Sequence, residues 1–176
     1  TVRFWEEVGR RNPIWEDPEK VPMHPQLLPI ERHGSLANHQ RAMASIAQTL
    51  VPVYRREWGI ELDLDHWLAA VHIHDAAKVI EFVEQDGQVV PTPGFNHALA
   101  AAKIAVELGF PRPVAHMVAC HTFIGPLILP RTPDAALFQF IDPLCLPFFP
   151  EHDGGGVIRH LKANGWEVPP QPPDVP

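Results

Sequence analysis

A chain of 176 residues, 45% hydrophobic and 20% charged, is long enough for one domain with a substantial core, and no uninterrupted apolar run approaches a membrane span. Disordered and transmembrane classes are therefore excluded as expectations, as is a duplex nucleic-acid partner, because 14 Lys and Arg stand against 21 Asp and Glu for a net charge of −7. Two cysteines, Cys120 and Cys145, in no CxxC arrangement make neither a disulfide framework nor a zinc ribbon, and a cytoplasmic location is expected. The first residue is Thr rather than Met, so the native N-terminus stays open. What stands out is 11 histidines and 21 prolines.

The prolines divide the chain. Pro13, Pro18, Pro22, Pro25 and Pro29 fall in the first 30 residues, and Pro169, Pro170, Pro172, Pro173 and Pro176 close it, so both ends are expected to be non-helical. The N-terminal arm carries Val2, Phe4, Trp5, Val8, Ile14 and Trp15, too apolar for a free tail. Packing within the chain is the expectation for this arm; a homodimer anchored by Phe4, Trp5 and Trp15 is the alternative.

Five helices are predicted from periodicity. The first runs from about Ser35 to Leu50, with Leu36, His39, Met43, Ile46, Ala47 and Leu50 in one stripe. The second spans about Asp63 to Glu84, where Leu64, Trp67, Leu68, Val71, Asp75, Lys78 and Phe82 share a face and His74 lies at its edge. A Gly/Pro-rich connection leads to a third, about Asn96 to Leu108, headed by His97 and closed by Gly109. The fourth starts near Pro111 to Pro113 and aligns Val114, Met117, Val118 and His121. The fifth, about Asp134 to Phe148, aligns Phe138, Ile141, Asp142 and Cys145, with Pro143 expected to kink or end it.

Two aspartates and four histidines thus sit on faces that otherwise belong to a core. A buried, unpartnered carboxylate costs several kcal/mol or shifts its pKa until it is neutral, so these groups need compensation. A pair of metal ions is the simplest common partner, since imidazole and carboxylate suit Fe, Mn, Co or Zn and six ligands exceed what one tetrahedral zinc takes. Lys78, three residues after Asp75, is placed to set its ammonium on a substrate phosphate or to pair with a carboxylate. Arg41, Arg112, Arg131 and His116 are further anion contacts that spacing does not rank. His24, His33, His66, His72, His152 and His160 are left outside the core set, as surface, covering or supporting groups.

His39, the pair His74-Asp75 within HDAAK, and Asp142 resemble the H…HD…D signature of the HD-domain superfamily of metal-dependent phosphohydrolases, and His97 and His121 resemble the additions of its dinuclear branch. NHALAAAKIAVELGF, HTFIG and FIDPLCLP are locally similar to segments of the bacterial symmetrical diadenosine tetraphosphate hydrolases. The resemblance runs over roughly residues 33–149. It implies an all-α bundle of about five core helices over residues 31–150, between a Pro-rich N-terminal arm (1–30) and a C-terminal tail (151–176). It further implies two divalent or mixed-valent metal ions, Fe or Mn foremost, one held by His39, His74 and Asp142, the other by His97 and His121, with Asp75 bridging. The activity implied is hydrolysis of a small phosphate ester or nucleotide-type substrate by a metal-bridging hydroxide, with Asp75 and Lys78 as catalytic residues and Lys78 binding substrate. Two alternatives share the ligand set: a mixed-valent diiron oxygenase of the same superfamily acting on a small polar or phosphonate substrate, and a non-catalytic nucleotide-binding module.

Overall fold

The computed structural model describes residues 1–23, 34–122, 128–145 and 165. The expectations for His24, His33, His152, His160 and nearly all of the C-terminal tail, together with the last residues of HTFIG and FIDPLCLP, lie outside the described residues.

The N-terminal arm is not free of helix, contrary to the expectation from its prolines. Helix α1 occupies Val2–Gly9, upstream of the first proline, and its i, i+4 pair Phe4 and Val8 is fully buried. The Phe4 ring meets Phe110 edge-on at 6.0 Å. Trp5 donates its indole N–H to the His72 carbonyl at 3.1 Å, and Ile14 N–H donates to the Val79 carbonyl at 3.1 Å. Trp15 then packs its edge on Phe82, and Val21 and Met23 enter the same core after a short 3-10 turn, Pro18–Lys20. The arm packs within the chain.

Helix α2, Leu36–Trp58, starts at a capping box in which Ser35 and Asn38 satisfy each other's backbone N–H. Leu36, His39, Gln40, Met43, Ala47 and Val51 form its buried stripe. It runs two turns beyond the predicted end, because Pro52 removes one helical N–H yet has a helix-compatible φ, and the helix stops only at Gly59, whose φ of 64° is left-handed.

Helix α3, Leu64–Ile73, is capped by the Asp63 carboxylate, which accepts from His66 N–H at 3.0 Å. The predicted continuation to Glu84 does not occur. After His74 and Asp75 the chain tightens into a 3-10 helix, Ala76–Ile80, and then forms an antiparallel hairpin, β1 (Phe82–Gln85) with β2 (Gln88–Pro91). Asp86 and Gly87 turn it with φ of 53° and 75°, the two positive values of a type I′ turn.

Helix α4, His97–Glu107, begins on the Asn96 cap and ends in a Schellman arrangement: Gly109 N–H donates to the Val106 carbonyl and Phe110 N–H to that of Ala105. Helix α5, Arg112–Cys120, starts at Pro111, and α6, Pro133–Leu144, on the Thr132 cap, with Pro143 in its last turn. The predicted end of this helix, 146–148, falls outside the described residues. Helices α2 to α6 are the five expected core helices, so among the described residues the architecture is all-α apart from one hairpin. Trp67 and Phe138 meet at 5.5 Å in the centre, and the Trp67 N–H donates to the Asp134 carboxylate at 2.8 Å, tying α3 to α6. Among the described residues no helix is long and apolar enough to cross a membrane.

Candidate metal centre

All six sequence-selected residues meet at one place, and most of them lie at helix ends. His39 comes from the first turn of α2, His74 and Asp75 directly follow α3, His97 opens α4, His121 directly follows α5, and Asp142 lies in the last turn of α6. Helix ends suit this task because their last carbonyls have no helical partner. The Nδ1–H groups of His74 and His121 donate to the free carbonyls of Val71 (2.8 Å) and Val118 (2.7 Å), each three residues back. His39 Nδ1 lies 3.4 Å from the Cys145 carbonyl, and His97 Nδ1 lies 3.0 Å from the Glu81 carboxylate. Carbonyls only accept, so in His39, His74 and His121 the ring proton sits on Nδ1 and the Nε2 lone pair points to the centre. His97 lies between the Glu81 and Asp75 carboxylates, which raise its pKa against burial, so it presents a lone pair at Nε2 only on giving up that proton.

What faces these lone pairs is not a donor. His39 Nε2 lies 3.1 Å from His74 Nε2 and 2.9 Å from Asp142 Oδ1, and His74 Nε2 lies 3.5 Å from that same oxygen. Asp75 Oδ2 is 3.5 Å from His74 Nε2 and 3.8 Å from His39 Nε2. Its other oxygen, Oδ1, is 3.3 Å from His97 Nε2 and 3.2 Å from His121 Nε2. Asp75 Oδ1 and His121 Nε2 are buried without a hydrogen bond despite this closeness, because acceptor faces acceptor. Donor atoms bound at about 2.1 Å to one ion lie about 3.0–3.4 Å apart, close to most of these separations. The set therefore fits a cation: His39, His74, Asp75 and Asp142 form one group of ligand atoms, and Asp75, His97 and His121 a second.

Electrostatics prepare the same outcome. Burial alone would raise the Asp75 pKa, but the Lys78 ammonium, 2.7 Å away, holds the carboxyl well below the usual range. Burial pushes His121 down, toward the neutral form that can ligate a metal. The Cys120 and Cys145 thiols, neighbours of the site in sequence, are pushed up by burial to about 11 and about 12, so neither is a thiolate ligand or nucleophile at neutral pH.

Lys78 contacts the site through Asp75, and burial is overcome by that carboxylate in keeping it charged. Arg41 is committed to Glu19, and His116 Nε2 accepts from Arg131 N–H at 3.0 Å, a loop contact. His72 is exposed, and His66 pairs with Asp63. Glu81 is the residue that sequence reasoning missed. Asp75, Lys78 and Glu81 recur every three residues, and with 3.0 residues per turn a 3-10 helix lines them on one edge, whereas the expected α-helix carries Glu81 off the face.

Neither the curated proteins nor the solved structures yield a match. The HD domain family model matches residues 36–145, a stretch holding all six clustered residues. Since that match covers more than half of the sequence, the chain belongs to the HD domain family.

Proposed function

We propose that this protein is a metal-dependent phosphohydrolase that works with two metal ions, Fe or Mn, on a small phosphate ester or nucleotide-type substrate. The observation that carries the reading is the division of Asp75: one carboxylate oxygen faces His39 and His74, the other His97 and His121, as a bridge between two cations requires. Such a pair, when bound, supplies an activated water and neutralises charge developing on a phosphoryl group. His39, His74 and Asp142 would hold one ion, and His97 and His121 the other, with Asp75 shared. The remaining work belongs to the chain. The Nδ1 hydrogen bonds fix each ring, so the ligand atoms need no reorganisation. Lys78, its side chain 15% exposed at the edge of the site, restrains Asp75 and offers its remaining N–H groups to a substrate phosphate oxygen. The net charge of −7 does not oppose an anionic substrate, because two cations reverse the local field.

The test is metal analysis of protein purified without added metal or chelator, followed by two assays with Mn(II) or Fe(II): an anaerobic one for phosphate release from phosphomonoesters and nucleotide release from dinucleoside polyphosphates, and an aerobic one for oxygen uptake. About two ions per chain and metal-dependent hydrolysis are expected. Oxygen uptake without hydrolysis overturns the hydrolase reading, and fewer than one ion per chain removes its basis.

A further inference from the structure

The four histidines are held in two different ways. Those of α2, α3 and α5 rest their Nδ1 on backbone carbonyls, neutral acceptors fixed by helix ends. His97, the first residue of α4, has no carbonyl of its own helix three residues back and, unlike His39, is not set on the carbonyl of another helix end. A side chain must take that place, and Glu81 Oε2 does, at 3.0 Å. Both side chains are largely enclosed, 17% and 16% exposed. Glu81 is itself tied down on both sides: its N–H donates to the Lys78 carbonyl at 3.1 Å and its carbonyl accepts from Thr92 N–H at 2.8 Å. It is thus anchored where the 3-10 helix meets the base of the hairpin.

We propose that Glu81 is the positioning residue for the ion on the His97 side, setting that ion's affinity through the His97 ring. The assignment rests on the two-cation reading given above. A carboxylate on Nδ1 fixes the tautomer, aims Nε2 at Asp75 Oδ1 and increases the donor strength of the imidazole, effects that outer partners of metal-bound histidines exert at 10–100-fold in affinity. It also adds negative charge where the ligand set has little: Asp75 is shared between both ions and paired with Lys78, while Asp142 lies against His39 and His74. Without Glu81, the His97 side holds its ion with neutral rings and half of one carboxylate.

The experiment titrates the full-length, metal-stripped chain with Co(II), following heat and the visible absorption of the bound ion, for the native sequence, Glu81→Gln, Glu81→Ala and His97→Ala. Two binding events are expected for the native chain and one for His97→Ala. Glu81→Gln, which keeps a hydrogen-bond acceptor but no charge, is expected to weaken the second event by about 10-fold, and Glu81→Ala by about 100-fold, with the first event unchanged. Nitrogen-15 shifts of the His97 ring in the metal-free chain, taken at a pH alkaline enough for the ring to be neutral, give a readout independent of turnover: one tautomer in the native protein, a mixture in Glu81→Ala. Helix content by circular dichroism screens each variant for folding. Native affinity for both ions in Glu81→Ala overturns the assignment, as does equal weakening of both events, which marks a merely structural role. A native chain that takes up a single ion, or a His97→Ala chain that still takes up two, overturns the two-cation reading and the Glu81 assignment with it.

Discussion

The two sides of the histidine-aspartate cluster are built differently. On the His39 side the ligand atoms come from α2, the end of α3 and the end of α6, and the His39 and His74 side chains are 1% or less exposed. On the His97 side one of two histidines is 16% exposed and leans on a side chain at the base of the hairpin rather than on a backbone carbonyl. The first side is part of the core packing: the His74 ring meets both Phe138 and His121 edge-on, at 5.5 and 4.9 Å. On the second side His121 shares that burial, and His97 is the attachment to it. Burial and backbone acceptors make a rigid, non-negotiable arrangement, whereas a side-chain acceptor at the base of a hairpin makes an adjustable one.

Changing Asp75 to Asn should have the largest effect, because it acts on both sides at once. Volume is kept, but one ligand oxygen and the charge are lost and Lys78 loses its partner. Cobalt uptake should fall from two ions toward none, and phosphate release by more than about 100-fold, beyond what an outer partner contributes. Retention of one tight ion would show that the two sides do not depend on a shared carboxylate.

The next contrast sets His74→Ala against His97→Ala. Removing the fully buried His74 leaves a hole beside Phe138 and should cost the metal-free protein about 2–5 kcal/mol, whereas loss of His97, at the partly open edge of the cluster, should cost about 1 kcal/mol. Urea denaturation of both stripped variants measures the difference; equal losses would contradict the claim that only one side is core. A smaller effect is expected from Gly87→Val. A β-branched residue at a φ of 75° strains the hairpin turn by about 1–2 kcal/mol, far from any ligand. It should weaken only the ion on the His97 side, and by less than Glu81→Gln does, since the strain reaches Glu81 through the strand pairing.

Much of the cluster was legible in the sequence because polar residues on apolar stripes are informative. His39, His97, His121 and Asp142 each fall in phase with core residues of a helix that forms, and the structure gathers them around His74 and Asp75. What escaped was backbone geometry after Ile73. Read at 3.6 residues per turn, the stretch to Glu84 makes one plausible amphipathic helix; read at 3.0, it makes the row Asp75, Lys78, Glu81. The signal for stopping the helix was present in Asp86-Gly87, a strong hairpin turn pair between Val83 and Val89-Val90. The N-terminal helix escaped for a different reason: counting prolines over the first 30 residues hides that none occurs before Pro13.

That arm bears on where the folding unit begins. The family match starts at residue 36, yet Phe4, Val8, Val21 and Met23 lie in the same core as α2 to α6. The arm also grips the chain on both sides of the His74-Asp75 pair, through the carbonyls of His72 and Val79. Burying four such side chains is worth about 6–12 kcal/mol at most, as much as the whole stability of many domains. A fragment cut at the family boundary therefore loses its margin of stability along with the brace on its ligand pair. In this protein the packed core extends beyond the segment that matches the family, and removal of the first 23 residues is expected to destabilise the histidine-aspartate cluster, a loss that urea denaturation of the shortened chain would measure.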